Sequence, residues 1–296
     1  MQWYVWMLLA AILGAGHNII RKKALKNEHT TEYLTIFTIL SFILLLPFFS
    51  FVNFDQPGLS WMLMYVAGLL LTFSYVFLSK AYRHLNISDV APLTNFNVLF
   101  VLLISIVFLK ETVTWFQLVG IALILIGSYV LQVKKGSKNI WKPFSMLKDK
   151  YVRNILIALA VAAIAHMLSK MLLTPAQTNL NIPPIDIFTF VFITRMFMAI
   201  NFTVILVVFF DGFKGIKHGV KNAGLWILFA AALSTTGTIM YYAALSLIFL
   251  VLAMSLSKIE TLLTTVVGGE IFHDTNLLQK SLACLIIIAG SILIIL

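Results

Sequence analysis

The chain has 296 residues, of which 61% are hydrophobic and 11% charged, with a mean hydropathy of +1.00. So little polar surface excludes a water-soluble globule, and the composition predicts an all-α integral membrane protein. The formal net charge of +10 does not indicate a nucleic-acid partner, because most cations lie in short segments between apolar runs, where topology and anionic lipid explain them better.

Ten apolar runs follow one another, each close to the ~20 residues that a helix needs to cross the hydrocarbon. They lie near residues 2–22, 33–53, 60–80, 89–109, 115–133, 154–174, 186–210, 224–243, 247–267 and 277–296. We therefore expect ten transmembrane helices, in a first repeat over 1–133 and a second over 154–296. Because five is odd, the second repeat must enter the membrane in the opposite sense, which predicts inverted repeats around a central cavity.

A polar pattern at the end of the first run recurs 149 residues later. His17 is followed by Arg21 and His166 by Lys170, each four positions on and hence on the same helix face. A two-fold axis in the membrane plane would turn both faces toward one cavity, so these four residues are predicted to contact substrate. The alternative is that the histidines only hydrogen-bond to neighbouring helices.

Other polar or special residues divide between structural and functional roles. Pro47 is expected to kink the second helix. Asn95 and Asn97 in the fourth helix could line the cavity or bond across helices. Glu111 and Glu270 follow the fourth and ninth runs and are most simply helix-end residues at the membrane interface.

Residues 80–132 carry the motifs of a known family. The fourth helix is entered through Ala91-Pro92-Leu93, Lys110-Glu111 follows it, and Gly120 and Gly127 mark the fifth helix. This stretch resembles the EamA domain of the drug/metabolite transporter superfamily. The second half repeats the pattern more loosely, with Tyr241–Leu245, Gly269-Glu270 and Ala289-Gly290-Ser291. The resemblance implies two inverted five-helix repeats that alternate between outward-open and inward-open forms.

The segment between the repeats, residues 134–153, is basic and amphipathic. Trp141, Phe144, Leu147 and Tyr151 are spaced by three, three and four, which puts them on one helical face among lysines. We expect this linker to lie on the anionic inner leaflet of the membrane. A plain charged linker is the alternative.

Three ionisable residues lie deep inside apolar runs. Arg195 is ten residues into the seventh run, and Lys258 and Glu260 are near the middle of the ninth. An unpaired charge there costs at least about 2.5 to 3.5 kcal/mol, so these side chains must face a cavity or one another. The functional interpretation adds all three to the substrate site, and the structural alternative is a buried ion pair or the capping of backbone carbonyls.

The motif inventory favours secondary transport. Walker A, G-x-S-x-G and H-E-x-x-H sequences are absent, as are Cys and His clusters of the zinc type, so we expect no enzyme activity, cofactor or metal. We predict an exporter of a small polar metabolite in the cell membrane. Multidrug efflux is the alternative within transport, and a membrane-embedded enzyme or a scaffold is the alternative outside it.

The predicted site also suggests a class of substrate. Its cations favour an anionic or zwitterionic solute, because a bare cation would be repelled at low dielectric. The histidines, which titrate near neutral pH, or the Glu260 carboxylate could couple transport to protons.

Cation positions predict the membrane orientation. The loops on one side contain Arg21, Lys22, Lys23, Lys26, Lys80, Arg83, the cations of 134–153, Lys214, Lys217 and Lys221, and the other side offers little beyond Lys110. Cytoplasmic loops gather Lys and Arg, so both termini should lie outside. A phosphatase fused at Leu296 is then expected to be active, whereas fluorescence of a cytoplasmic reporter at the same position would contradict this orientation.

Overall fold

A computed structural model describes residues 2–26, 28–85, 87, 90, 93–132, 149–175, 181–210, 213–271 and 277–295. Within these ranges the regular structure is helical. The α-helices are α1 (Trp3–Leu25), α2 (Thr30–Ile43), α3 (Gly58–His84), α4 (Asn97–Val107), α5 (Trp115–Gln132), α6 (Lys150–Leu173), α7 (Ile187–Phe209), α8 (Phe213–Leu245), α9 (Leu250–Leu256), α10 (Ile259–Ile271) and α11 (Leu277–Ile295). Six stretches of the described chain are long and apolar enough to cross a membrane: α1, α3, α6, α7, the part of α8 from Ala223, and α9 together with α10.

The second apolar run does not form one long helix kinked at proline. Helix α2 ends at Ile43, and a 3₁₀ turn over Leu46–Phe51 with Pro47 near its start follows. Pro47 has no backbone N–H to donate to the preceding turn, so the α-helical ladder stops instead of bending. The prediction of a kinked helix over 33–53 is therefore wrong.

The ninth run is interrupted in its middle. Helix α9 ends at Leu256 and α10 begins at Ile259, and the break is closed by bonds of the tighter 3₁₀ type, from Glu260 N to Ser257 O at 2.9 Å and from Thr261 N to Lys258 O at 3.0 Å. In the first half a 3₁₀ turn, Thr94–Phe96, precedes α4. Thr94, the first residue of this turn, lies 163 positions before Ser257, the residue at the break in the second half. Non-helical backbone at membrane depth is tolerated where protein or a cavity surrounds it.

The two halves of the chain pack into each other. The most extensive helix contacts are α1 with α8, α3 with α6, and α5 with α11, and each of these pairs joins the first half to the second. Buried side chains from both halves share one hydrophobic cluster, for example Met7 and Val98 with Phe190 and Leu252. A cavity between the halves is consequently walled by both of them.

Glycine allows the closest of these contacts. A Cβ on Gly290 of α11 would lie 2.6 Å from the backbone oxygen of Gly120 on α5. A Cβ on Gly127 would lie 2.6 Å from Ile287 Cγ1 on the same facing helix. The α5 and α11 backbones can approach this closely only because side chains are missing at these positions.

Two groups of sequence predictions fall outside the described residues. Trp141, Phe144 and Leu147 of the basic linker do so, and so do Ala91 and Pro92 of the family motif. The linker's contact with lipid stays a prediction.

Candidate functional site

A cavity of about 260 Å³ lies between the halves. Its walls come from α1, α3, α4, the 3₁₀ turn before α4, and α6 to α10. Seven of the residues predicted to contact substrate line it: His17, Arg21, Asn97, His166, Arg195, Lys258 and Glu260. Lys170 and Asn95 lie elsewhere.

One end of the site is a network of charged and amide groups around Glu260. Arg21 Nη2 donates to Asn18 Oδ1 at 2.8 Å, and Asn18 Nδ2 donates to the Glu260 carboxylate. Lys258 and Arg21 both interact electrostatically with this carboxylate. The carboxylate packs against α1 at Gly14, where an added Cβ would lie 2.6 Å from Glu260 Cδ. Two cations therefore share one carboxylate, which leaves this end positive by one formal charge.

Arg195 forms the other end. Its Nη2 donates to Thr238 Oγ1 at 2.9 Å and to Ser234 Oγ at 3.4 Å, while its buried Nη1 has no hydrogen-bond partner. The guanidinium carbon lies 5.7 Å from the Phe37 ring centroid and 5.9 Å from that of Tyr75. Its hydrogen bonds are to neutral hydroxyls, so its charge is not matched by a bonded carboxylate.

Both predicted histidines have a buried nitrogen without a partner. His17 stacks on Phe37 with ring centroids 5.2 Å apart, and its Nε2 makes no hydrogen bond. His166 packs edge-on to Tyr241 at 5.5 Å, and its Nδ1 makes none. An unsatisfied buried polar atom costs about 1–3 kcal/mol, so each of these nitrogens is suited to a solute that supplies the missing bond. The bonds to neighbouring helices that the alternative required are not made by these atoms.

The two asparagines have different roles: one lines the cavity, and the other bonds across helices. Asn97 lines the cavity, and its buried Oδ1 has no partner. Asn95 instead bonds across helices, since its Oδ1 accepts from Thr261 Oγ1 at 2.7 Å. Asn95 therefore joins the 3₁₀ turn before α4 to α10, and it does not line the cavity.

Lys170 is not in the cavity, in contrast to the prediction. Its Nζ donates to the carbonyls of Leu245 and Ile248 at 2.9 and 2.7 Å, where α8 ends. Lys22 does the same in the first half, donating to Tyr82 and Leu85 carbonyls at the end of α3, both at 2.6 Å. A lysine here satisfies carbonyls that the helix end leaves free and complements the helix dipole. By its contacts Lys170 corresponds to Lys22, one position later than Arg21.

Glu111 binds the same connection between α8 and α9 to which Lys170 donates. Its carboxylate accepts from the backbone N–H of Leu250 at 2.7 Å and of Val251 at 3.4 Å, the first residues of α9. Lys110 before it has φ 54, the left-handed region that favours glycine, and this turns the chain so that Glu111 points inward. Glu111 thus caps a helix and has a structural role, as its simplest interpretation held, and its side chain is buried within the protein. Glu270, the counterpart, is exposed.

Sequence reasoning missed several residues that complete the site. Asn18 links Arg21 to Glu260, and the Tyr82 ring lies 4.0 Å from the Arg21 guanidinium. The usable signal for Asn18 was a second polar residue beside His17 in an otherwise apolar helix. Thr238 had no signal, because isolated hydroxyls are common in membrane helices. Within the described residues no three His, Cys, Asp or Glu side chains are grouped as a metal site would require.

Comparison with known proteins finds a family model that matches the first part of the chain. The sequence model of the EamA-like transporter family matches residues 1–133. No curated protein matches the chain. A solved structure, described only as the crystal structure of a protein, has 15% sequence identity and a TM-score of 0.68, and the match covers 98% of this chain and 95% of that one. This likeness shows a shared fold. Residues 1–133 therefore resemble EamA-like transporters, and this match together with the six long apolar helical stretches of the described chain makes the protein an integral membrane protein.

Proposed function

We propose that the protein is a secondary transporter that exports a small polar metabolite, anionic or zwitterionic, across the cell membrane by alternating access. The observation that carries this proposal is a set of buried polar atoms, on residues that line the cavity, that have no hydrogen-bond partner: His17 Nε2, Arg21 Nε, Asn97 Oδ1, His166 Nδ1, Thr194 Oγ1 and Arg195 Nη1. Polar atoms held without partners at membrane depth are costly, and a polar solute would satisfy them.

Two inverted five-helix repeats are an architecture that performs alternating access, and the helix contacts support it here. If the halves are equivalent, α1 corresponds to α6, α3 to α8 and α4 to α10. The contact of α1 with α8 then corresponds to that of α6 with α3, and the contact of α1 with α10 to that of α6 with α4. All four contacts exist. Lys22 and Lys170 cap equivalent helix ends. Repeats of this kind build their substrate site at the interface between them, near the bilayer midplane.

The residues that line the cavity favour metabolite transport over the alternative functions. Multidrug efflux of cations would favour carboxylates, but Glu260 is the lone carboxylate among the lining residues that the structure describes, against three Lys or Arg side chains. Four tyrosines in the wall would suit an amphipathic drug, and they are the observation that keeps this second candidate. An enzyme would collect acid and base groups at one membrane face, whereas these polar groups come from both halves.

The test of transport is counterflow in proteoliposomes preloaded with a panel of anionic, zwitterionic and cationic metabolites. We expect the wild-type protein to exchange an anionic or zwitterionic member, and Arg195→Ala and His166→Ala to lose most of that exchange while remaining folded. Arg153→Ala is the matched control, because Arg153 is exposed on α6. Exchange at the parental rate by both cavity variants would mean that the site is elsewhere.

Proton coupling is the finer part of the proposal, and Glu260 is its candidate carrier. Exchange by the wild-type protein is expected to depend on pH, because Glu260 can gain or lose a proton inside the cavity. Glu260→Gln keeps the shape and the bond from Asn18 but removes the titratable carboxyl group, so its exchange should change with pH much less than that of the wild-type protein. Any dependence that remains would come from the other titratable groups of the wall, His17, His166 and Lys258. The measurement is the initial exchange rate from pH 5.5 to 8.5. A pH profile unchanged in Glu260→Gln would exclude Glu260 as the proton carrier.

A further inference from the structure

We propose that the solute is a small dianion whose two negative groups are separated, one bound at Arg195 and the other at the Arg21–Lys258 end. This inference rests on the proposed transport function and narrows its substrate class. It depends on the charges of the cavity wall and on where they lie.

The described wall has a charge imbalance of two. Arg21, Arg195 and Lys258 contribute three positive charges, and Glu260 contributes one negative charge. Within a medium of low dielectric such an imbalance is expensive, and it is relieved when the solute brings the opposite charge. A solute of charge −2 would balance the wall, whereas a monoanion or a neutral zwitterion would leave it positive.

The positive charges are held by two separate sets of contacts. Arg195 on α7 bonds only to hydroxyls of α8, and Arg21 on α1 bonds to Asn18 and faces Tyr82. The charges of both arginines act on the His17 ring, which also lines the cavity. Its Nε2 is buried without a hydrogen-bond partner, and we infer that a bound solute would satisfy it.

A zwitterion fits this arrangement less well. Its ammonium group would have to bind Glu260, but that carboxylate already interacts with Lys258 and Arg21 and accepts the bond from Asn18. A third cation would meet a region that is already positive. Arg195 could still hold the carboxylate of a zwitterion, so the two classes differ at the Glu260 end.

The cavity volume limits the size of the solute. At about 260 Å³ it is below the ~300–1,000 Å³ of pockets for drug-sized ligands. A four-carbon dicarboxylate and a phosphate monoester of a three-carbon alcohol both offer two negative charges on a short chain. They share the proposed chemistry and are tested separately.

The experiment is counterflow with a set of solutes of similar length and different charge. Succinate and glycerol 3-phosphate are the dianions, butyrate the monoanion, 4-aminobutyrate the zwitterion and putrescine the dication. We expect a dianion to be exchanged with an affinity at least about tenfold above that of butyrate or 4-aminobutyrate, and putrescine to be excluded. Succinate without glycerol 3-phosphate would identify a dicarboxylate site, and the reverse would identify a phosphate site.

Variants connect the preference to the two ends of the cavity. Arg195→Gln and Lys258→Gln are each expected to weaken dianion affinity about tenfold or more, with a smaller loss for butyrate. Arg153→Gln, an exposed change on α6, is the control. Preferred exchange of 4-aminobutyrate or butyrate would overturn the dianion inference and leave transport of small anions or zwitterions standing. No exchange of any of the five solutes would also overturn it, and the proposed function would then be decided by the metabolite panel.

Discussion

Replacement of Gly290 by alanine is expected to destabilise the protein by about 1–3 kcal/mol, the usual cost of an extra methyl group in a packed interior. The new Cβ would lie 2.6 Å from the Gly120 backbone oxygen and 3.0 Å from Ile124 N and Cγ1. A backbone oxygen cannot rotate away as a side chain does, so α5 and α11 must separate. The measurement is the unfolding temperature of the purified protein in detergent.

Gly58→Ala provides the matched control. Gly58 is the first residue of α3, and an added Cβ there would meet nothing within 4 Å. The same chemical change should therefore leave the unfolding temperature almost unchanged. An equal effect of the two substitutions would show that loss of glycine flexibility, and not the α5–α11 contact, determines stability.

Lys170→Met should be the second strongly destabilising change, and it should act on stability before it acts on substrate affinity. Methionine keeps most of the length but removes the donor, so the carbonyls of Leu245 and Ile248 lose their buried partner. Each group left unsatisfied costs about 1–3 kcal/mol. Glu111 would in addition lose the nearby positive charge with which it interacts. The unfolding temperature and the substrate affinity of the remaining folded protein are the two measurements.

Three further variants show whether the effect of Lys170→Met comes from the loss of the helix cap. Lys80→Met removes an exposed cation from α3 and should have little effect, since exposed charges contribute weakly. Lys22→Met should match Lys170→Met, because it removes the equivalent cap in the other half. Glu111→Gln should destabilise less, because its amide oxygen can still accept from the α9 backbone. Loss of substrate affinity in a Lys170→Met protein of normal stability would return Lys170 to the substrate site.

The all-helical membrane class followed from hydropathy, because membrane helices must be apolar over a length set by the bilayer. The errors occur where a local backbone effect overrides that signal. Pro47 lies in an apolar run, so only its missing N–H shows that α2 ends early. The break at Ser257 is invisible to hydropathy because apolar residues continue on both sides of it.

The charged lining of the cavity could be predicted in part because charges in apolar runs are rare and expensive. Arg195, Lys258 and Glu260 are therefore conspicuous, and all three line the cavity. Lys170 misled because a lysine that caps helix carbonyls looks the same in sequence as one that faces a solute. His17 and His166 are 149 residues apart, whereas Lys22 and Lys170, which make equivalent contacts, are 148 residues apart. Because of this shift of one residue, Arg21 lines the cavity and Lys170 does not.

The packing of the halves into each other has a consequence for biogenesis. As the chain leaves the ribosome, α1, α3 and α5 enter the bilayer before α8, α6 and α11, their main partners, have been made. Until then the Arg21 side chain and the bare glycine face of α5 have lipid or the insertion machinery for neighbours. A nascent chain that stops after residue 133 would hold α1 to α5 without the second-half helices against which they pack, and we expect membrane quality control to recognise it.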